Sequence, residues 1–218
     1  MIGAVVFDLD GVVVDSEQLW DQARRTVVAD HGGHWRDDAT SAMQGMSSPE
    51  WGQFVRDALA VDLPTERIID LVVQELLRGY ARTLPLLPGA VDAVRRLASR
   101  WPLGLASSSN RIVIDTVLRL AGLSDAFAVT VSSEEVARGK PAPDVYLDVV
   151  RRLDRSPSEC AAVEDSTNGI RSALAAGLPV VVVPNHAYPP SADVLREVPI
   201  VLKGLDQLTV ELVASLDP

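Results

Sequence analysis

Residues 2–11 read Ile-Gly-Ala-Val-Val-Phe-Asp-Leu-Asp-Gly, an apolar run followed at once by two carboxylates and a glycine. The apolar run predicts a buried strand, and the polar residues after it predict a turn. Because residues i and i+2 of an extended segment point to the same side, Asp8 and Asp10 converge on one small volume. Two like charges that close are costly unless a hard cation such as magnesium offsets them. Taken alone, the pair also fits a turn with two exposed acids, so the other strand ends must decide.

Predicted helices and strands alternate from Pro88 onward. Strands are predicted at about 102–106, 129–131, 160–163, 180–183 and 200–202, and helices at about 89–100, 110–121, 143–153, 167–176 and 205–215. This alternation indicates an α/β fold with a parallel sheet and right-handed crossovers. In such sheets, ligands bind beyond the carboxyl ends of the strands, which is where the polar residues of this chain cluster.

The stretch at 16–85 differs in character. Apolar residues recur there at helical spacing, as in Ala23 and Val27, and turn signals separate the helical patterns. No convincing strand pattern occurs in it. We therefore predict a helical domain at 16–85, called the cap below, inserted into a catalytic core formed by residues 1–15 and 86–218.

Composition narrows the classes of function. The 218 residues include 20 basic and 30 acidic ones, which gives a formal net charge of −10. The chain lacks the basic clusters that nucleic acids or anionic membranes require, so we expect neither as a partner. The single cysteine, Cys160, precludes an intrachain disulfide and is expected in the core. With no leader-like segment and no long apolar stretch, we expect a cytoplasmic protein, either a monomer or a weak homodimer.

Two more polar clusters follow predicted strands, and Lys140 lies in a loop that could reach them. Residues 107–109 offer hydroxyls and backbone N–H groups at a predicted helix start, which suits an anion, although helix capping by Asn110 is also expected. Lys140 is one of only two lysines in the chain, and its compact ammonium can screen a phosphoryl group and an attacking carboxylate. Glu164 and Asp165 add carboxylates of the kind that bind a metal. Each cluster is weak evidence alone, but together and in this order they are specific.

In this order, the polar segments resemble the four motifs of the haloacid dehalogenase (HAD) superfamily. The segments are DLDGVVVDSE at 8–17, LASSSN at 105–110, GKPAPD at 139–144 and VEDSTNG at 163–169. The resemblance spans essentially the full chain. The cap falls where the β-phosphoglucomutase-like and phosphoglycolate phosphatase-like subgroup carries its helical cap. The resemblance therefore implies a Rossmann-like parallel-sheet core with an inserted α-helical cap domain.

The resemblance also implies a magnesium-dependent phosphatase acting on a small phosphorylated metabolite, a sugar phosphate or a similar compound. Asp8 is then the nucleophile that forms an aspartyl-phosphate, and Asp10 protonates the leaving group and later deprotonates the attacking water. Mg²⁺ is expected on Asp8, Asp165 and Asp10, the last through its backbone carbonyl. Glu164 is expected as a metal ligand or as a partner of the ligands, and Asn168 either orders metal-bound water or only begins a helix.

Other residues are implied in substrate binding. Ser107 and Lys140 are expected to hold the transferring phosphate, with Lys140 counted among the catalytic residues. Ser108, Asn110 and Glu17 are also expected to bind substrate. Glu17 follows an Asp-Ser pair, as in many sugar-phosphate phosphatases of the group.

The same residues distinguish the phosphatase from competing chemistries. A dehalogenase needs no leaving-group acid, so Asp10 argues against it, and a phosphonatase needs a cap lysine, which residues 1–139 lack. A phosphosugar mutase of the β-phosphoglucomutase type is the main enzymatic rival, but the loop at 45–50 has Ser48 and Pro49 where its cap arginine is expected. A non-catalytic regulatory protein that binds a phosphometabolite is the alternative of another class. The presence of nucleophile, acid and lysine favours the phosphatase.

Substrate specificity is expected to reside in the cap. Residues that either line a pocket or form the core of the cap helices are Trp20, Trp35, Met43, Met46 and Trp51. Arg78 and Arg82 are expected to be surface charges rather than substrate ligands. Surface or loop positions are expected for His31, His34 and His186. The segments 15–16 and 85–89 join core and cap, and we expect them to act as hinges for closure over the substrate.

Overall fold

The structure, a computed structural model, describes residues 1–43, 46–185 and 188–216. Within these ranges one six-stranded parallel sheet has the order β3-β2-β1-β4-β5-β6. The strands are β1 Ala4–Phe7, β2 Leu103–Ser107, β3 Val129–Ser132, β4 Cys160–Glu164, β5 Val180–Val182 and β6 Ile200–Val201. The chain moves from β1 to one edge and then returns to the other side of β1. Ligand sites of α/β sheets lie beyond the carboxyl end of the strand at which the order reverses, here β1.

Four helices follow β1 and form the cap. They are α1 Glu17–Asp30, α2 Ala39–Met43, α3 Ser48–Ala58 and α4 Thr65–Arg82. The two chain crossings between sheet and cap pair with each other, because Val14 bridges Leu86 and the Asp15 N–H donates to the Pro85 carbonyl at 2.8 Å. The predicted domain limits, between residues 15 and 16 and between residues 85 and 86, fall inside this paired segment. They remain predictions.

The remaining helices cover both faces of the sheet. They are α5 Ala90–Ala98, α6 Arg111–Ala121, α7 Asp144–Arg152, α8 Thr167–Ala175, α9 Ala192–Leu195 and α10 Val210–Ala214. Successive residues of β1 point to opposite faces: Val5 and Phe7 pack in one apolar cluster, and Ala4 and Val6 pack in the other. A sheet buried on both faces is typical of parallel α/β proteins, and it confirms the predicted fold class. The short helix α9 was not predicted.

The single helix predicted at 205–215 is replaced by two pieces. A 3-10 turn covers Leu205–Gln207, and α10 begins only after a break. Leu208 has φ −78° and ψ 82°, which is not helical, and the hydroxyl of Thr209 caps α10 by accepting a backbone N–H at 3.1 Å. Arg96 donates hydrogen bonds of 2.9 Å to the Leu205 and Leu208 carbonyls, which replaces the lost helical donors.

For single residues outside the site, the structure agrees with the predicted burial or exposure wherever it describes them. Cys160 is fully buried in β4, and His31 and His34 are exposed, as predicted. The prediction for His186 lies outside the described residues. None of the helices in the described ranges combines the length and the apolar character that crossing a bilayer needs.

Candidate active site

Three carboxylates meet at the carboxyl edge of the sheet. Asp8 follows β1, and Glu164 and Asp165 lie at the end of the neighbouring strand β4. One oxygen of each lies within 4.8 Å of the others, and all three residues are buried. Burial raises the pKa of Asp8 to about 7 although Lys140 opposes the shift, and burial with the charge of Glu164 raises the pKa of Asp165. A cation with oxygen ligands would stabilise such a cluster.

Lys140 is the cation that the chain itself supplies. Its Nζ lies 2.9 Å from Oδ1 of Asp8 and 2.6 Å from Oε1 of Glu164, and its side chain is 4% exposed. Burial alone would lower the pKa of Lys140, but the two carboxylates outweigh burial and raise it. The side chain is therefore an ammonium at neutral pH. Its loop is anchored to α8, because the Ser172 hydroxyl donates to the Ala142 carbonyl at 2.6 Å.

Glu164 and Asp165 differ in what their oxygens contact. Oε1 of Glu164 accepts from Lys140 and, at 2.9 Å, from the Tyr146 hydroxyl. Oε2 of Glu164 accepts the backbone N–H groups of Asp165 at 3.0 Å and Ser166 at 3.2 Å. Oδ1 of Asp165, in contrast, is buried without a hydrogen-bond partner among the described residues. Buried polar atoms rarely stay unpaired, so Asp165 fits a metal ligand, while Glu164 already has donors on both oxygens.

Two glycines allow these carboxylates to lie so close to the backbone. Gly11 has φ +81°, and a Cβ there would overlap the carboxylate of Asp165. A Cβ on Gly169, near the start of α8, would overlap the carboxylate of Glu164. Glycine tolerates both the positive φ and the close approach. The glycine that follows the first two aspartates is therefore part of the site's geometry.

Asp10 is contacted from both the core and the cap. The Ser109 hydroxyl donates to Oδ2 at 2.7 Å from the core. The Ser16 hydroxyl donates to Oδ1, and the indole Nε1 of Trp20 makes a long hydrogen bond of 3.4 Å to the same oxygen. Ser16 and Trp20 lie at the start of α1, so the position of the cap bears directly on this acid.

The serines after β2 occupy different depths. Ser108 and Ser109 line the cavity described below. Ser107 is fully buried and does not line it; its Oγ accepts the backbone N–H of Ser109 at 3.0 Å. Ser107 therefore lies behind Ser108 and Ser109, which are the serines that a ligand in the cavity would contact.

Asn110 connects core and cap. Its Oδ1 accepts a buried hydrogen bond of 2.9 Å from the hydroxyl of Ser48 at the start of α3, and its Nδ2 donates to Glu134 at 2.6 Å. Asn110 does not line the cavity, although it was predicted to bind substrate. Its side chain holds the start of α3 against the core.

A cavity of about 190 Å³ lies between the carboxyl edge of the sheet and the cap. Asp8, Asp10, Lys140 and Asp165 line its core wall. Its cap wall includes Glu17, Trp20, Arg24, Met43, Met46 and Trp51. Four of the five residues that were expected either to line a pocket or to form the core of the cap helices therefore line it. The fifth, Trp35, does not line the cavity and stacks with Arg25 instead, with 4.3 Å from the guanidinium carbon to the ring centre.

Arg24 was missed by the sequence analysis. It is 7% exposed, and its guanidinium carbon lies 5.1 Å and 5.2 Å from the ring centres of Trp20 and Trp51. Burial lowers the pKa of Arg24 to about 10, so it remains a cation at neutral pH. A signal was present, because an arginine one turn after Trp20 lies on the face that also carries Ala23 and Val27.

Arg78 and Arg82, the two cap arginines for which surface positions were predicted, are exposed. Arg78 pairs with Glu75 on the exposed side of α4, and Arg82 is exposed at the end of that helix. In the loop at 45–50, Gly45 lies outside the described residues. Ser48 lines the cavity, whereas Pro49 does not.

Comparison with known proteins identifies the family. The profile of the haloacid dehalogenase-like hydrolases matches residues 2–177. The chain belongs to this family. Hexitol phosphatase B of Escherichia coli strain K12 is 33% identical to this HAD-like hydrolase over 192 residues, which cover 83% of each chain. The phosphorylated carbohydrates phosphatase of Thermotoga maritima is 32% identical over 176 residues, covering 80% of this chain and 82% of the relative.

Solved structures agree with the family assignment. CbbY from Rhodobacter sphaeroides, crystallised with phosphate, superposes with a TM-score of 0.85 at 27% identity, covering 95% of this chain and 96% of CbbY. The predicted superfamily and the fold with its helical insertion are confirmed. HAD-like hydrolases generally use a divalent metal, and the buried acidic cluster is the candidate site for it.

Proposed function

We propose that this HAD-like hydrolase is a magnesium-dependent phosphatase that hydrolyses a small phosphorylated metabolite, a sugar phosphate or a similar compound, through an aspartyl-phosphate on Asp8. The observation that carries the proposal is the meeting of Asp8, Lys140 and Asp165 at one wall of a cavity, where one oxygen of Asp165 has no hydrogen-bond partner within the described ranges. The names of the relatives, a hexitol phosphatase and a phosphatase of phosphorylated carbohydrates, support both the reaction and the substrate class.

The reaction proceeds in two displacements. A carboxylate oxygen of Asp8 attacks phosphorus while the leaving alkoxide takes a proton from Asp10. The carboxylate of Asp10 then removes a proton from water, the water oxygen attacks phosphorus, and the P–O bond to Asp8 breaks. Inorganic phosphate leaves, and both aspartates return to their starting states. Lys140 holds Asp8 in place and neutralises part of the charge that gathers on the phosphoryl oxygens.

The chain offers a donor set that suits Mg²⁺. Asp8 and Asp165 would hold the ion with their side chains, and Asp10 with its backbone carbonyl. When bound, Mg²⁺ neutralises charge on the phosphoryl oxygens. Glu164 holds Lys140 rather than the metal, because donors already occupy both of its oxygens.

The substrate lies between the two walls of the cavity. Ser108 and Ser109 face the transferring phosphate, and Ser107 supports them through the Ser109 N–H. Glu17, on the cap wall, faces the leaving group; burial and the charge of Asp10 raise its pKa. The cap spans 16–85 and closes over the substrate.

Phosphate release from a panel of compounds tests the proposal. The panel holds hexitol phosphates, sugar phosphates, phosphoglycolate and nucleoside monophosphates, each with and without magnesium. We expect magnesium-dependent release from at least one compound, and loss of that release in Asp8→Asn. The control is Asp30→Asn, at an exposed carboxylate at the end of α1. No release from any compound, or full activity of Asp8→Asn, would contradict the proposal.

The rival functions give different products. Conversion of a sugar 1-phosphate to the 6-phosphate without inorganic phosphate would favour the mutase. Tight binding of a phosphometabolite without any turnover would favour the non-catalytic regulator.

A further inference from the structure

Arg24 is a buried cation without an acceptor among the residues that the structure describes. Its side chain forms no ion pair or hydrogen bond with any residue that the structure describes, and its Nε is fully buried and unpaired. Glu17, Asp21 and Asp10 are near enough to act on its charge, but none of them pairs with it. A buried charge is costly unless it is both paired and hydrogen-bonded. The missing partner is therefore to be sought in the cavity that Arg24 lines.

The next residue of the same helix, Arg25, has polar partners that Arg24 lacks among the described residues. Arg25 is exposed, its Nε lies 2.6 Å from Oδ2 of Asp21, and it donates to the Thr40 hydroxyl at 3.3 Å. Both arginines stack on indole rings, so stacking alone does not set them apart. What distinguishes Arg24 is burial in the wall of the cavity with no acceptor in the described part of the chain.

The indoles of Trp20 and Trp51 determine which groups of Arg24 remain available to a ligand. Trp20 and Trp51 lie with their ring centres within 5.2 Å of the guanidinium carbon and with 60° between the ring planes. Indoles contact a guanidinium by cation–π interaction and do not accept its N–H groups. The fork of N–H donors is thus left for a ligand, and such a fork matches a carboxylate or a phosphate bidentately. A neutral hydroxyl would accept a hydrogen bond but would supply no charge to pair with the guanidinium.

The position of Arg24 assigns it to the part of the substrate that does not react. The groups proposed to act on the transferring phosphate, Asp8, Lys140 and Asp165, lie on the core wall, whereas Arg24 comes from α1 of the cap. We propose that Arg24 binds an anionic group, a carboxylate or a second phosphate, that the substrate carries away from the transferred phosphoryl group. The enzyme then prefers phosphate monoesters with a second acidic group over their neutral counterparts. This inference rests on the proposed phosphatase function.

Two matched pairs of compounds test the inference. Gluconate 6-phosphate and glucitol 6-phosphate differ in a carboxylate, and fructose 1,6-bisphosphate and fructose 1-phosphate differ in a second phosphate. For the wild type we expect kcat/KM to be at least about tenfold higher for the acidic member of one pair or both. The pair that shows the preference tells which anionic group is recognised.

Variants then attribute the preference to Arg24. We expect Arg24→Gln to lower kcat/KM for the acidic compound by about 10- to 100-fold and to change the neutral compound by less than about threefold. Arg24→Lys retains the charge without the fork and should restore part of the loss. Arg25→Gln is the control, because it removes an exposed and paired arginine one residue away.

Binding provides a second measurement that needs neither turnover nor a variant of Arg24. Calorimetric titration of Asp8→Asn with each compound, in magnesium, should show tighter binding of the acidic member. Equal or tighter binding of the neutral members overturns the inference, as does a preference that survives in Arg24→Gln. Failure to release phosphate from any compound refutes the phosphatase function alone, since the binding preference still decides about Arg24.

Discussion

Gly11→Ala should damage the metal site far more than the fold. A residue other than glycine at a positive φ costs roughly 1–2 kcal/mol, and Gly11 has φ +81°. The new Cβ would also overlap the Asp165 carboxylate, which must retreat by about 1 Å, and a displacement of that size at a catalytic site costs about 100-fold in rate. Gly32→Ala is the matched control, because Gly32 has φ +72° and a Cβ there meets nothing within 4 Å.

Two assays separate the loss of stability caused by the positive φ from the loss of activity caused by the displaced Asp165 carboxylate. In urea unfolding, both variants should lose roughly 1–2 kcal/mol of stability. In phosphate release at increasing magnesium, only Gly11→Ala should lose about 100-fold in kcat/KM and need more magnesium for half-saturation. If the two variants respond alike to magnesium and retain similar activity, the close approach of Gly11 and Asp165 does not matter and the reasoning is wrong.

Three further predictions concern the same site. Glu164→Gln should lower kcat about tenfold or more by loosening Lys140, with unchanged half-saturating magnesium; weaker magnesium binding would instead make Glu164 a ligand. Burial raises the pKa of Asp8 from 3.8 to about 7, so the contribution of Asp8 to the stability of the metal-free fold is largest below the lower value and is lost as pH rises through the higher one. Magnesium should therefore raise Tm more at about pH 8 than at about pH 5, and equal shifts would count against a carboxylate site. Ser48→Ala removes the 2.9 Å hydrogen bond to Asn110, which should cost about 1–2 kcal/mol of cap closure and raise KM several-fold; an unchanged KM would argue against that contact as a closure element.

The carboxylate cluster of the candidate site was predictable because it depends on local spacing and on one topological rule. Asp8 and Asp10 are two residues apart, and parallel strands bring Glu164 and Asp165 to the same edge as that pair. The role of Glu164 was left open because it depends on Tyr146 and Lys140, whose contacts come from tertiary packing.

The cap was less predictable because its contacts also come from tertiary packing. The burial of Arg24 depends on Trp20 from its own helix and on Trp51 from another, and helical periodicity does not pair helices. The broken helix at 205–215 likewise depends on Arg96, which lies more than 100 residues earlier in the chain.

Trapping the covalent intermediate tests the central proposal most directly. The enzyme is mixed with substrate and magnesium, quenched in acid within milliseconds, digested, and its peptides are analysed by mass spectrometry. We expect a phosphoryl group on Asp8 in the wild type, its release by hydroxylamine, and no such group in Asp8→Asn. Rapid turnover with Asp8 unmodified, or a phosphoryl group on another residue, would contradict an aspartyl-phosphate at this position.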